Sequence, residues 1–205
     1  MAASIECVVF DIGNVLLRWS PFNLYRRMGF SDAETTAILA ETGLPEVNHR
    51  VLDAGAPYAE TIAGLASRFP GHADFILAFD RRWPETLGGA IEANVAILRA
   101  LQAAGVATHA ISNFSRDKFD IARRAHPFLD EFDELVLSGD VGCVKPDPEI
   151  FELLLARRKL DPAACVFIDD NAANIDTAQR LGFVTIHYTE HETDLGAELR
   201  RLGLR

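Results

Sequence analysis

The chain has 205 residues, of which 49% are hydrophobic and 24% charged, a composition typical of one packed domain or one domain with an insertion. Thirty acidic residues outnumber 20 basic ones, and the formal net charge of −10 argues against a nucleic-acid partner. No apolar run reaches membrane-spanning length, the first six residues lack signal-peptide features, and three scattered cysteines show no metal-binding or disulfide spacing. We therefore expect a soluble, cytoplasmic protein without a membrane partner.

Short apolar runs alternate with helical periods along most of the chain. The pattern predicts strands at 5–10, 107–111, 134–137, 165–168 and 183–188, and helices at 90–104, 115–125, 148–159, 172–181 and 191–202. Strand–helix alternation of this kind predicts an α/β fold with a doubly wound parallel sheet and helices on both faces. Asp147 followed by Pro148 predicts a helix start capped by the aspartate side chain.

The stretch from residue 19 to residue 88 interrupts this alternation. It contains helical periods near 21–29, 31–41, 45–53, 57–69 and 72–82, separated by proline and glycine, and no convincing strand. We predict that residues 1–18 and 89–205 form a Rossmann-like α/β core, and that residues 19–88 form an inserted all-helical cap domain.

Polar side chains follow each of the first four core strands. They are Asp11 after the first strand, Ser112 and Asn113 after the second, Lys145 after the third, and Asp169 and Asp170 after the fourth. In a doubly wound sheet, ligands bind beyond the carboxyl ends of the strands. We therefore expect these side chains to converge at one edge of the sheet.

The expected cluster has the chemistry of phosphoryl transfer. Aspartate carboxylates from two strands form an all-oxygen site of the kind that Mg²⁺ prefers. Lys145 can neutralise a phosphoryl group beside them, and the Ser112 hydroxyl can donate to its oxygens. Asp11 can then attack phosphorus and form an aspartyl phosphate.

The four segments resemble the motifs of the haloacid dehalogenase-like (HAD) hydrolase superfamily, in its branch with a helical cap inserted after the first strand. Phe-Asp-Ile-Gly-Asn-Val at 10–15 resembles the first motif, Ile-Ser-Asn at 111–113 the second, Val-Lys-Pro-Asp-Pro-Glu-Ile-Phe at 144–151 the third, and Phe-Ile-Asp-Asp-Asn at 167–171 the fourth. The motifs occur in the family's order, and the resemblance covers essentially the whole chain.

The resemblance implies a role for each matching position. Asp11 is the expected nucleophile, and Ser112 and Lys145 are the catalytic and phosphate-binding partners, with Asn113 beside them. The expected Mg²⁺ ligands are Asp11, the backbone carbonyl of Gly13, Asp169 and Asp170, with Asp170 favoured over Asp169 as the direct ligand.

Gly13 departs from the family pattern, because most phosphatases of this family have an aspartate there as general acid. General acid catalysis contributes about 10²–10⁴-fold, and its loss matters least for a weakly basic leaving group. The pattern therefore favours sugar phosphates, above all sugar 1-phosphates. His49 shares a predicted helix face with Asp53 and is a candidate for substrate binding or for the missing acid, the alternative being an ordinary surface pair.

Three functions are consistent with the sequence. The leading hypothesis is a Mg²⁺-dependent phosphatase acting on a small phosphorylated metabolite, with the oligomeric state open. The alternative is a metal-free 2-haloacid dehalogenase with the same nucleophile, but that branch typically has Tyr-Gly-Thr after the nucleophile and serines in place of Asp169 and Asp170. A non-catalytic binding protein is the third, and the retained Asp11 and Lys145 disfavour it.

Overall fold

The computed structural model describes residues 5–204, so the expectation drawn from Met1–Ser4 lies outside the described residues. Seven strands occur in this range: β1 (Cys7–Phe10), β2 (Leu17–Trp19), β3 (Leu87–Ala90), β4 (Ala107–Ser112), β5 (Glu134–Leu137), β6 (Cys165–Asp169) and β7 (Val184–His187). The α-helices of the same range are α1 (Pro21–Arg27), α2 (Asp32–Thr42), α3 (Leu44–Val47), α4 (Tyr58–Arg68), α5 (Ala73–Arg81), α6 (Glu92–Ala103), α7 (Arg116–Ala125), α8 (Ser138–Val141), α9 (Pro148–Arg158), α10 (Ala172–Arg180) and α11 (Leu195–Arg201). None of these helices is long and apolar enough to cross a membrane.

Five strands form one parallel sheet in the order β5-β4-β1-β6-β7. Every residue of β1 and β6 is buried, as expected for central strands covered by helices on both faces. The chain leaves β1 toward β4 and leaves β6 toward β7, so the crevice between β1 and β6 is the point where the winding reverses. The predicted doubly wound parallel α/β fold is confirmed.

Helices α1 to α5, with a π-helical turn at Asn48–Leu52, lie between β2 and β3; we call residues 20–86 the helical insertion. The prediction that residues 19–88 contain no strand is wrong at both ends. β2 and β3 pair antiparallel, with Leu17 opposite Ala90 and Arg18 opposite Gly89. Each strand has only three or four residues, and β3 contains two glycines, so neither shows a strand-like sequence pattern.

The side chains of β1 alternate between two apolar clusters. Cys7 and Val9 pack on one face of the sheet with α9, whereas Val8 and Phe10 belong to the other cluster. That second cluster continues without interruption into the helical insertion, where Leu52 and Ile76 are completely buried. The insertion and this face of the sheet therefore share one apolar core.

One predicted capping interaction is absent. Asp147 does precede α9 and Pro148 begins it, but the Asp147 side chain makes no capping hydrogen bond. Its carboxylate instead lies 3.3 Å from Nη1 of Arg50 in the helical insertion. The Asp147 carboxylate therefore pairs with a charged side chain from a distant segment rather than with a backbone N–H of its own helix. A local sequence pattern does not reveal such a partner.

Candidate active site

The carboxyl ends of β1 and β6 bring two aspartates to either side of a buried lysine. Nζ of Lys145 lies 2.9 Å from Oδ1 of Asp11 and 2.6 Å from Oδ2 of Asp169. Lys145 is 1% exposed and Asp169 is fully buried, so water does not solvate this ion pair. An ammonium buried to this extent persists because carboxylates surround it.

Asp169 is held by donors on both of its oxygens. Its Oδ1 accepts from the backbone N–H of Asn171 at 2.8 Å, and Asn174 donates from Nδ2 to Oδ1 and Oδ2 at 2.9 and 3.0 Å. With Lys145 on Oδ2 as well, the carboxylate is fixed in position. Asn174 owes this role to the first turn of α10, which places its buried amide under the carboxylate.

Asp170 is more exposed than Asp11 and Asp169, and one carboxylate oxygen from each of the three lies within 4.8 Å of the other two. Its Oδ2 accepts one hydrogen bond, from Nδ2 of Asn14 at 3.2 Å. Three carboxylates therefore face a single ammonium in a largely buried site. The excess negative charge and the hard oxygen ligands fit a divalent cation such as Mg²⁺.

The pKa values reflect this excess of negative charge. Burial raises the pKa of Asp11 to about 7; Lys145 opposes the increase, and the carboxylates of Asp169 and Asp170 add to it. Burial also raises the pKa of Asp170, with a further contribution from Asp169. Burial disfavours the Lys145 ammonium, but Asp11 and Asp169 outweigh that effect and raise the pKa of Lys145. A cation bound here would favour the ionised form of Asp11.

Ser112 ends β4 and Asn113 follows it, and both lie at the wall of the same pocket. Ser112 is buried, at 2% exposure. Asn113 accepts at Oδ1 from the backbone N–H of Lys145 at 2.7 Å and donates from Nδ2 to its carbonyl at 2.9 Å. The structure thus brings all the predicted strand-end residues together, and it shows that Asn113 holds the backbone of Lys145.

A pocket of about 460 Å³ lies over these residues. Its floor contains Asp11, Gly13, Ser112, Lys145 and Asp170. Apolar side chains of β2 and the helical insertion line much of the rest: Trp19, Pro21, Phe22, Leu39, Leu44, Pro45 and Phe79. The volume is that of a site for a small molecule.

His49 lines this pocket from the π-helical turn, with its Nδ1 3.3 Å from Nδ2 of Asn113. Burial lowers the pKa of His49, and the neighbouring Arg50 lowers it further, which favours the neutral imidazole. Its part in substrate binding stays a prediction. Gly13 contributes no side chain, and a Cβ placed there would meet no atom within 4 Å.

Three further polar residues line the site but lie outside the predicted set of site residues, although helical spacing already puts Asp53 on one face with His49. Asn14, in the left-handed region with φ +53°, accepts at Oδ1 from the backbone N–H of Trp19 at 3.0 Å while it donates to Asp170. Asn48 and Asp53 line the pocket from the helical insertion, and Nδ2 of Asn48 donates to Oδ2 of Asp53 at 3.1 Å. For Asn48 and Asp53, the sequence signal is the cluster of polar residues at 48–53.

Known proteins resemble this chain in sequence and in fold. A family model described as haloacid dehalogenase-like hydrolase matches residues 5–182. The chain is 27% identical over 195 residues to sesquiterpene phosphatase astK of Aspergillus oryzae, and the match covers 93% of each protein. Two solved structures share the fold. One is a HAD family enzyme from Bacteroides thetaiotaomicron in complex with magnesium and inorganic phosphate, with a TM-score of 0.68, 21% identity, and coverage of 95% of this chain and 99% of that chain.

The second solved structure is a dehalogenase, with a TM-score of 0.72, 19% identity and full coverage of both chains. At these identities the two structures show a shared fold. The family model, by contrast, spans most of the sequence, including all four strand-end motifs. This chain belongs to the haloacid dehalogenase-like hydrolase family.

Proposed function

We propose that this protein is a Mg²⁺-dependent phosphatase that hydrolyses small phosphate monoesters through an aspartyl phosphate on Asp11. The observation that carries the proposal is the position of Lys145, within 3 Å of Asp11 and Asp169 and beside Asp170 on the floor of one pocket. A phosphoryl dianion can approach this floor only where positive charge offsets the carboxylates. Lys145 supplies part of that charge, and the carboxylate cluster fits a cation that would supply the rest.

Each step follows from the residues at the site. A carboxylate oxygen of Asp11 attacks phosphorus, while Lys145 and the Ser112 hydroxyl stabilise the phosphoryl oxygens. The alcohol departs, and water then cleaves the aspartyl phosphate to release phosphate. Mg²⁺, held directly by Asp11, the Gly13 carbonyl and Asp170, would supply charge neutralisation and orientation of the phosphoryl group. Because the oxygens of Asp169 already accept from Lys145, Asn171 and Asn174, we assign direct ligation to Asp170 and support of Lys145 to Asp169.

The similarity to a sesquiterpene phosphatase and to an enzyme solved with magnesium and phosphate supports phosphate chemistry. The dehalogenase alternative shares the nucleophile and the fold. However, attack on a carbon–halogen bond needs no cation, and it gives no reason for carboxylates at both Asp169 and Asp170. The clustered carboxylates therefore favour the phosphatase.

We also propose that residues 19–88 act as a cap that sets substrate choice, because this segment lines the pocket over the catalytic floor. Its wall combines apolar side chains with the polar groups of Asn48, His49 and Asp53. Sugar phosphates fit both the pocket size and these polar groups, and they remain the expected class. A panel that compares sugar 1-phosphates with alkyl phosphates tests this prediction.

The first experiment measures hydrolysis of p-nitrophenyl phosphate by the wild type and by Asp11→Asn, each with Mg²⁺ and with EDTA. The p-nitrophenolate is a good leaving group, so the assay does not depend on a general acid. Asp176→Asn is a matched control, since Asp176 is exposed on α10, away from the pocket. We expect activity in the wild type and the control with Mg²⁺ only. Inactivity in every condition, with chloride released from 2-chloropropionate, would establish the dehalogenase instead.

A further inference from the structure

Asp53, in the helical insertion, borders the same spaces as Gly13. Both residues line the central pocket, and both also line a smaller cavity of about 100 Å³ beside it. Ser112 and Asn113 border the same two spaces. A side chain at position 13 would have open space around its Cβ, and Asp53 lines the pockets that this side chain would enter.

The backbone around Asp53 is fastened to the core. Oγ of Ser138, directly after β5, donates to the carbonyl of Asp53 at 2.5 Å. Two residues later, Gly55 adopts φ +99°, and a Cβ on it would lie 2.6 Å from the carbonyl oxygen of Gly139. Arg50 adds the ion pair with Asp147. These contacts hold Asp53 at the catalytic edge rather than on a distant face of the insertion.

Only an uncharged group donates to the Asp53 carboxyl. Asn48 donates to Oδ2, and the Tyr58 hydroxyl orients Asn48 by donating to its Oδ1 at 3.0 Å. Within residues 5–204, Asp53 forms no ion pair, and Oδ1 has no hydrogen-bond partner. The nearby lysines are committed elsewhere, Lys145 to Asp11 and Asp169, and Lys118 to Asp80 at 2.6 Å.

The surroundings of Asp53 therefore favour the neutral carboxylic acid. Burial raises the pKa of Asp53 well above its ordinary value, and the charge of Asp11 raises it further. A protonated carboxyl has an O–H to donate, which is what a general acid needs. For His49, by contrast, burial and the charge of Arg50 lower the pKa, which disfavours the imidazolium that an acid role needs.

We propose that Asp53 is the general acid of this enzyme and replaces the side chain missing at Gly13. As Asp11 bonds to phosphorus, the bond between phosphorus and the ester oxygen breaks, and the Asp53 proton passes to that oxygen to release a neutral alcohol. The Asp53 carboxylate then takes a proton from the water that attacks the aspartyl phosphate. This step frees Asp11 and regenerates the acid. The inference rests on the proposed phosphatase function.

The test compares leaving groups. General acid catalysis matters for a basic alkoxide such as that of n-butyl phosphate and little for p-nitrophenolate. We expect Asp53→Asn to lower kcat/KM on n-butyl phosphate by about 100-fold more than on p-nitrophenyl phosphate. Glu46→Gln is the matched control, because Glu46 belongs to the same insertion, has a 76% exposed side chain and does not line the pocket. This control should have the same effect on kcat/KM for n-butyl phosphate as for p-nitrophenyl phosphate.

A double variant separates proton donation from support of the fold. Adding Gly13→Asp to Asp53→Asn places a carboxyl in open space on β1's own loop. We expect it to restore n-butyl phosphate hydrolysis by at least about tenfold over Asp53→Asn. A residue needed only for shape is not replaced by a carboxyl on another element.

Each failure has its own signature. Equal losses on the two substrates in Asp53→Asn would overturn the acid role and leave Asp53 as a binding or structural residue. Hydrolysis of p-nitrophenyl phosphate that does not depend on Asp11 would instead overturn the proposed function, whatever Asp53 does.

Discussion

The side-chain amide of Asn113 forms hydrogen bonds with both backbone polar groups of Lys145. Its Oδ1 accepts from the Lys145 N–H at 2.7 Å, and its Nδ2 donates to the Lys145 carbonyl at 2.9 Å. The two residues come from different loops, one after β4 and one before α9. The pair therefore sets the distance between the Ser112 wall of the pocket and the ammonium on its floor.

Asn113→Ala removes both hydrogen bonds and leaves a partly buried N–H and C=O unpaired. We expect a loss of about 1–3 kcal/mol in the free energy of unfolding, measured by urea denaturation. Phosphatase kcat should fall as well, because Lys145 loses its fixed position. Gln179→Ala is a control, since the side-chain amide of Gln179 donates to the hydroxyl of Thr185 at the exposed surface. Equal stability of wild type and Asn113→Ala would show that the two hydrogen bonds to the Lys145 backbone do not stabilise the fold.

Asp11 contributes to the pH dependence of stability without metal, together with the other buried carboxyls whose pKa is raised. Its pKa in the folded protein is about 7, whereas the ordinary value is 3.8. Between these pH values the folded protein holds a proton that the unfolded chain has released. The contribution of Asp11 to the free energy of unfolding therefore falls as pH rises from about 4 to 7, by an amount on the order of a few kcal/mol.

Asp11→Asn removes this ionisation and so should flatten that part of the curve. In EDTA, the variant should melt above the wild type at pH 8, and the difference in Tm should shrink toward pH 4.5. Calorimetry across this range makes the comparison. Parallel curves for the two proteins would show that ionisation of Asp11 costs the folded state nothing.

Magnesium should stabilise the folded protein before any substrate is present. Ligand present at 100 times its Kd raises the free energy of unfolding by about 2.7 kcal/mol. We expect a Mg²⁺-dependent rise in Tm for the wild type that Asp170→Asn largely abolishes. The exposed Asp176→Asn on α10 should retain the wild-type rise. An undiminished rise in Asp170→Asn would place the cation elsewhere.

The strand-end residues could be predicted because parallel strands deliver their last residues to one edge. The apolar runs of β1 and β6 are unambiguous, so Asp11 and Asp169 follow from local sequence alone. Asp53 could not be placed in this way. Its position depends on how the helical insertion packs on Ser138 and Gly139, more than 80 residues away in the chain. A local pattern cannot encode such a contact.

The same limit explains the smaller errors. Asp147 has the sequence context of a helix cap, but its carboxylate forms an ion pair with Arg50 instead of capping the helix. β2 and β3 exist because they pair with each other, and neither has the length or composition of an independent strand. Predictions based on local periodicity hold for the core, and those that need contacts between the core and the insertion do not.

Gly55 offers a test of how the insertion is attached to the core. At φ +99° a residue with a side chain is strained, and its Cβ would lie 2.6 Å from the Gly139 carbonyl oxygen. Gly55→Ala must therefore shift the turn that carries Asp53. We expect a loss of about 1–3 kcal/mol in the free energy of unfolding, together with a lower kcat on n-butyl phosphate.

Gly64→Ala makes the same substitution but should change the free energy of unfolding in the opposite direction. Gly64 is exposed within α4, and a Cβ there meets no atom within 4 Å. Alanine in a helix interior is favoured over glycine by about 0.5–1 kcal/mol, so this variant should be more stable than the wild type with unchanged kinetics. If Gly55→Ala were also neutral or stabilising, the insertion would not be held at Gly139, and the position of Asp53 over the site would lose its structural basis.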